Sequence, residues 1–111
     1  MPSNIARFDQ LRSVGFASIS GTYTALGTAL GHASRVFRIS NSTNGDMFVS
    51  VDAVNDNFFL PAGSFVLYDI ASDDDPDDRF RVSKGTQFYV KQSTAPTSGS
   101  IYLEVIYGQG E

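Results

Sequence analysis

The chain has no cysteine, no tryptophan and a single histidine, His32. Without cysteine there is neither a disulfide framework nor a thiolate metal site, so burial and backbone pairing alone must hold the fold. No run approaches the roughly 18 apolar residues that span a bilayer. Residues 1–9 have no apolar stretch of the kind a signal peptide carries, so the expectation is a chain made and kept in a cytoplasm, with no membrane partner. Basic residues are also scarce, 8 against 12 carboxylates for a formal net charge of −4. A nucleic-acid surface needs clustered Lys and Arg to release counterions, so nucleic acid is not an expected partner.

What is present is enough for one domain. A chain of 111 residues with 41% hydrophobic content, nine Phe and five Tyr can bury a single core without metal or disulfide support. The dominant pattern is two-residue alternation, and no helical stripe competes with it. It is clearest in Ile101-Tyr102-Leu103-Glu104-Val105-Ile106-Tyr107, entered through the turn Pro96-Thr97-Ser98-Gly99.

The same alternation puts Phe37 and Ile39 on one face of 34–40, and Met47, Val49 and Val51 on one face of 47–53. Between these runs, Asn44-Gly45 favours a type I′ turn, which predicts an antiparallel hairpin pairing 35–41 with 47–53. In 64–70, Val66, Tyr68 and Ile70 alternate with Phe65, Leu67 and Asp69, while Phe80, Val82, Phe88 and Val90 are the inward residues expected of two later strands. Residues 14–23 read as a Gly-rich first strand, 22–33 as an irregular connection, and 1–13 as an N-terminal arm.

Turn signals at roughly 8–12-residue spacing, without crossover helices, predict an all-β fold. The expected architecture is an antiparallel β-sandwich, jelly-roll or Ig-like, of seven to eight short strands over 14–111.

No catalytic constellation can be assembled from these residues, so no enzyme activity is expected. His32 lies between Gly31 and Ala33 with no nucleophile beside it in sequence, and reads as a surface residue. The run Asp73, Asp74, Asp75, Asp77 and Asp78 offers carboxylates at alternate positions, the raw material of a Ca²⁺ site. The EF-hand frame is absent, since Lys84 stands where the bidentate Glu would fall if Asp73 were first. This run reads as a solvated loop or an acidic patch for a basic partner, and no cofactor or metal is expected. Asp52 and Asp69 read as hydrogen-bonded strand-end residues. The Asn41-Ser42-Thr43 sequon reads as turn sequence.

Arg35, Arg38, Arg79 and Arg81 stand on the outer sides of strands. They serve as solubilising charge or as pairing groups for the acidic loop of a neighbouring subunit.

From Arg35 onward several phrases carry a family likeness: Arg38-Ile39-Ser40-Asn41-Ser42-Thr43, Phe48-Val49-Ser50-Val51-Asp52, Leu60-Pro61-Ala62-Gly63-Ser64-Phe65, Lys84-Gly85-Thr86 before Phe88-Tyr89-Val90, and Ala95-Pro96-Thr97-Ser98-Gly99-Ser100-Ile101-Tyr102 before Tyr107-Gly108. In these the chain resembles small structural proteins of tailed bacteriophages. The resemblance implies a non-enzymatic β-sandwich component of the virion, synthesised in the host cytoplasm and repeated by symmetry as a homo-oligomer. It would sit at the head–tail neck or tail, or on the capsid surface as a decoration protein. Its partners would be portal, adaptor, tail or major capsid protein. The expected assembly contacts are Ile5, Phe8 and Leu11 of the arm and the loop Asp73 to Asp78. The competing class is a carbohydrate- or ligand-binding sandwich, with Tyr89, Tyr102 and Tyr107 stacking on sugars.

Overall fold

The computed structural model describes residues 5–69 and 82–108. Among the described residues nine strands are formed: β1 (Ala6–Phe8), β2 (Arg12–Gly15), β3 (Thr24–Ala25), β4 (Val36–Asn41), β5 (Met47–Ser50), β6 (Phe58–Leu60), β7 (Phe65–Asp69), β8 (Tyr89–Gln92) and β9 (Ser100–Gly108). They make two antiparallel sheets, one ordered β1-β9-β4-β7 with β2 also on β9, the other ordered β3-β8-β5-β6. The fold is a β-sandwich.

Its core follows the alternation in the sequence. Phe37 and Ile39 of β4 and Ile101, Leu103 and Val105 of β9 meet Met47 and Val49 of β5, Leu60 of β6 and Val90 of β8. Fully burying side chains of this size contributes about 1.5–3 kcal/mol each against leaving them in water. The connections add Ile19, Leu26, Leu30 and Phe88 to the same cluster. Leu26 and Leu30 carry no local strand pattern, and only the sandwich closing over them makes them core.

The predicted 35–41/47–53 hairpin does not form. β4 pairs with β9 and β7, while β5 pairs with β8 and β6 in the other sheet, so residues 42–46 cross between the layers. The cause lies in Asn41, which is 1% exposed at the end of β4. Its amide nitrogen donates to the carbonyls of Gly45 (2.8 Å), Leu60 (3.0 Å) and Pro61 (3.2 Å). Its oxygen accepts from Thr43 N–H (3.0 Å) and the Thr43 hydroxyl (2.6 Å). A side chain that folds the next four residues around itself competes with ladder pairing and turns the strand out of its sheet.

Gly45 does not adopt the positive φ of a type I′ turn. It is needed for space, because a Cβ there would run into the Thr94 carbonyl oxygen. Gly99 is required twice over: its φ is +91°, and a Cβ would collide with the Ser42 carbonyl.

The N-terminal readings also change. The strand expected over 14–23 starts earlier, as β2, and gives way at once to a 3₁₀ turn, Phe16–Ser18. Small residues at 15, 17, 18 and 20 offer little for a ladder to pack against. Residues 5–13 of the expected arm run along β9, where Arg7 faces Tyr107, Phe8 faces Ile106 and Arg12 faces Leu103. β9 is long enough to hold both β1 and β2 on one edge, with 9–11 bridging the gap.

Arg12 anchors this edge from beneath. Buried on the inner side of β2, it donates from Nε to Thr28 O (2.6 Å), from Nη2 to Ala29 O (3.1 Å) and from Nη1 to Gln10 O (3.1 Å). The same Nη1 lies 3.2 Å from the Asp9 carboxylate. The charge is therefore paired and hydrogen-bonded, as burial of a guanidinium requires.

Candidate functional site

The groups weighed for catalysis have structural occupations. The His32 ring is half-buried and stacks on Tyr107, with centroids 3.8 Å apart and planes 3° from parallel. Asp52 caps its own turn. Its carboxylate accepts from the backbone N–H of Asn55 (2.8 Å) and Val54 (2.9 Å), the Ser50 hydroxyl (2.8 Å) and the Asn55 amide (2.7 Å). These bonds, led by the Asn55 and Val54 backbone donors, hold its pKa well below the usual carboxylate range. A carboxylate held so firmly ionised is a poor general base at neutral pH. Asp69 ends β7, opposite Val36. Among the described residues no three His, Asp or Glu side chains group as metal ligands would.

A second polar cluster locks the 51–57 loop to the outside of the β5/β8 sheet. The Tyr23 hydroxyl donates to Asp56, Lys91 Nζ lies 3.2 Å from the same carboxylate, and that ammonium sits 4.8 Å from the centre of the Tyr23 ring and 5.6 Å from that of Phe48. Burial first, then the Asp56 hydrogen bond and charge, push the Tyr23 hydroxyl upward in pKa. Asp56 is lowered, chiefly by the Tyr23 bond. Each member satisfies another within the chain.

The three tyrosines considered for sugar stacking are dispersed. Tyr102 faces outward on β9, Tyr89 faces outward on β8 in the other sheet, and Tyr107 is engaged with His32. The sequon asparagine, Asn41, is buried with its amide donors occupied, as turn sequence would have it.

The outer face of the β1-β9-β4-β7 sheet differs from the rest of the surface. Directly paired residues share a face, so the register lays out three rows across the strands. Phe8, Ile106, Val36 and Asp69 form one, Glu104, Arg38 and Leu67 the next, and Ser13, Tyr102, Ser40 and Phe65 the third. Phe8, Phe65 and Leu67 are 80%, 61% and 57% exposed. In the middle, Arg38 donates from Nε (2.6 Å) to Glu104 and its Nη2 lies 2.5 Å from the same oxygen. The guanidinium carbon also stands 5.6 Å from the centre of the Phe65 ring. Around this pair Val36, Phe37, Leu67 and Ile106 enclose a depression of about 220 Å³.

Of the expected assembly contacts, Phe8 belongs to this face, and Ile5 and Leu11 are exposed beside the same edge. Asp73, Asp74, Asp75, Asp77 and Asp78 lie outside the described residues, as do Arg79 and Arg81. Arg38 pairs within its own chain, with Glu104. The sequence reading did not single out Phe65, Leu67, Val36 and Ile106. The one available signal was β7, where Phe65 and Leu67 make the second face of the strand as apolar as the first. Comparison with known protein families, with curated proteins and with solved structures finds no match.

Proposed function

We propose that this chain is a non-enzymatic structural protein acting as repeated copies in the virion of a tailed bacteriophage, at the head–tail neck or tail or on the capsid surface. The virion setting is supported by the phrases from Arg38 to Gly108 in which the sequence resembles such proteins. The assembly role is supported by one observation above others, the open apolar face bearing Phe8, Phe65 and Leu67. Large apolar side chains left open together on one face of a sheet mark an interaction site. The occupied state of Asp52 and the stacking of His32 support a chain without acid–base chemistry. The dispersal of Tyr89, Tyr102 and Tyr107 weighs against a sugar-stacking platform.

The test is quantitative mass spectrometry of particles purified from the strain that encodes the chain. The expected result is co-purification with portal, tail or major capsid protein at a fixed stoichiometry. Recovery only from the soluble lysate, together with glycan binding lost on Tyr→Ala substitution, would replace this reading with the carbohydrate-binding one.

A further inference from the structure

We infer that the outer face of the β1-β9-β4-β7 sheet is a self-association surface, on which a second copy docks across a two-fold axis with Phe8 of each copy in the depression of the other. This deepens the assembly reading above and rests on it.

The first argument is size. The depression holds about 220 Å³, below the roughly 300–1,000 Å³ of small-molecule sites. It suits one large side chain. Its lining is apolar except for Arg38 and Glu104, so that side chain should be a hydrophobe.

The second argument is self-complementarity. A two-fold interface brings one surface patch against itself, so knob and hole must both lie on the same face of a single chain. Phe8 is the knob. It is the most exposed large hydrophobe among the described residues, and its cross-strand neighbour Ile106 lines the hole.

Charge is the third. The centre of the face carries one cation and one anion, Arg38 and Glu104, paired side by side. Each charge already has the other as its partner, and an occupant that brings an acid and a base in matching positions gives each a second one. A second copy does so by construction, because a two-fold axis between the two groups sets Arg38 of each copy opposite Glu104 of the other.

The extent of the face sets the strength. Four strands at about 4.8 Å spacing and six residues of β4 at about 3.4 Å rise give a patch roughly 20 Å on each side. That is about 400 Å² per partner, short of the roughly 600 Å² per partner at the low end of specific interfaces. The pair should form weakly in solution, at tens of micromolar or above, and gain strength where many copies are held together.

The experiment is sedimentation equilibrium on the full chain from about 5 to 500 μM, with far-UV circular dichroism on every variant. Wild type should show a concentration-dependent dimer, and Phe8→Ser should weaken it at least about tenfold. Arg38→Glu alone and Glu104→Arg alone should each lose the dimer, and an equimolar mixture of the two should recover it, because a doubly acidic face then meets a doubly basic one. Recovery on mixing cannot come from misfolded variants. A wild type monomeric throughout the range overturns the proposal and leaves the face to a different protein. An oligomer that persists in all variants overturns it too, but leaves the assembly reading standing on another surface. Failure of the mixture to recover association overturns the two-fold arrangement.

Discussion

Replacing Asn41 by alanine should cost about 3–4 kcal/mol of stability, and the figure can be built bond by bond. Of the groups that Asn41 contacts, the Gly45 carbonyl keeps the Thr43 hydroxyl as donor, and the Pro61 carbonyl keeps Ser64 N–H and the Ser64 hydroxyl. The Thr43 N–H is buried and loses its acceptor, a penalty of about 1–3 kcal/mol. The remaining lost bonds add about 0.5–1.5 kcal/mol each where they are not replaced. Against a total of about 5–15 kcal/mol for a domain, the variant should fold marginally and melt roughly 15 °C lower.

Urea denaturation at pH 7 measures this as a lower midpoint with an unchanged slope. Asn41→Asp separates donor loss from packing loss, since it keeps the shape but aims a carboxylate at three carbonyl oxygens. At pH 7 it should be at least as damaging as alanine. Its folded-state pKa would be raised above the unfolded value, so part of the loss should be regained as pH falls through that raised value. A cost below about 1 kcal/mol for Asn41→Ala would refute the claim that this side chain closes the corner between the sheets.

Arg12→Lys should destabilise by about 1–3 kcal/mol, because an ammonium cannot reach the carbonyls of Gln10, Thr28 and Ala29 with the guanidinium's spread of donors; a thermal shift within error of wild type would contradict the anchoring role. Gly99→Ala should cost more than about 2 kcal/mol from positive φ and collision together, whereas Gly21→Ala, which meets nothing within 4 Å, should change the urea midpoint little. Asp52 has a folded pKa below its unfolded value near 3.8, so its contribution is present above that value and is lost as pH falls further. Carbon-detected carboxyl titration should find it still ionised at pH 3, and Asp52→Asn should remove its share of the acid dependence. Tyr23 has a folded pKa above its unfolded 10.0, so its contribution is present below pH 10 and fades at higher pH; ultraviolet titration should show it resisting ionisation at pH 11, and Asp56→Asn should lessen that resistance while leaving the part due to burial.

Burial along individual strands was legible from residue order. Phe37 and Ile39, Met47 and Val49, and Ile101, Leu103 and Val105 point inward as their spacing requires, because alternation is a local property that each strand carries by itself. The absence of helical periodicity likewise excluded helical packing, and the turn spacing pointed to a sandwich. Phe8, named from the sequence with Ile5 and Leu11 as an expected assembly contact of the arm, lies on the candidate face.

Strand pairing was a contest between distant segments. Asn44-Gly45 favours a hairpin locally, yet Asn41 found carbonyl partners at Leu60 and Pro61, 19 and 20 residues away, and the chain crossed to the other sheet. Arg12 is unremarkable by sequence and becomes an anchor only when residues 28 and 29 fold over it. The outer face draws Phe8, Val36, Leu67 and Ile106 from β1, β4, β7 and β9, segments that no local pattern connects. The sequence by itself determined which side of β4, β5, β8 and β9 would be dry, because that choice needs only the period of the residues. The tertiary structure decided which strands lie side by side, and so which exposed side chains share a surface, because that choice is made by long-range hydrogen bonds and packing.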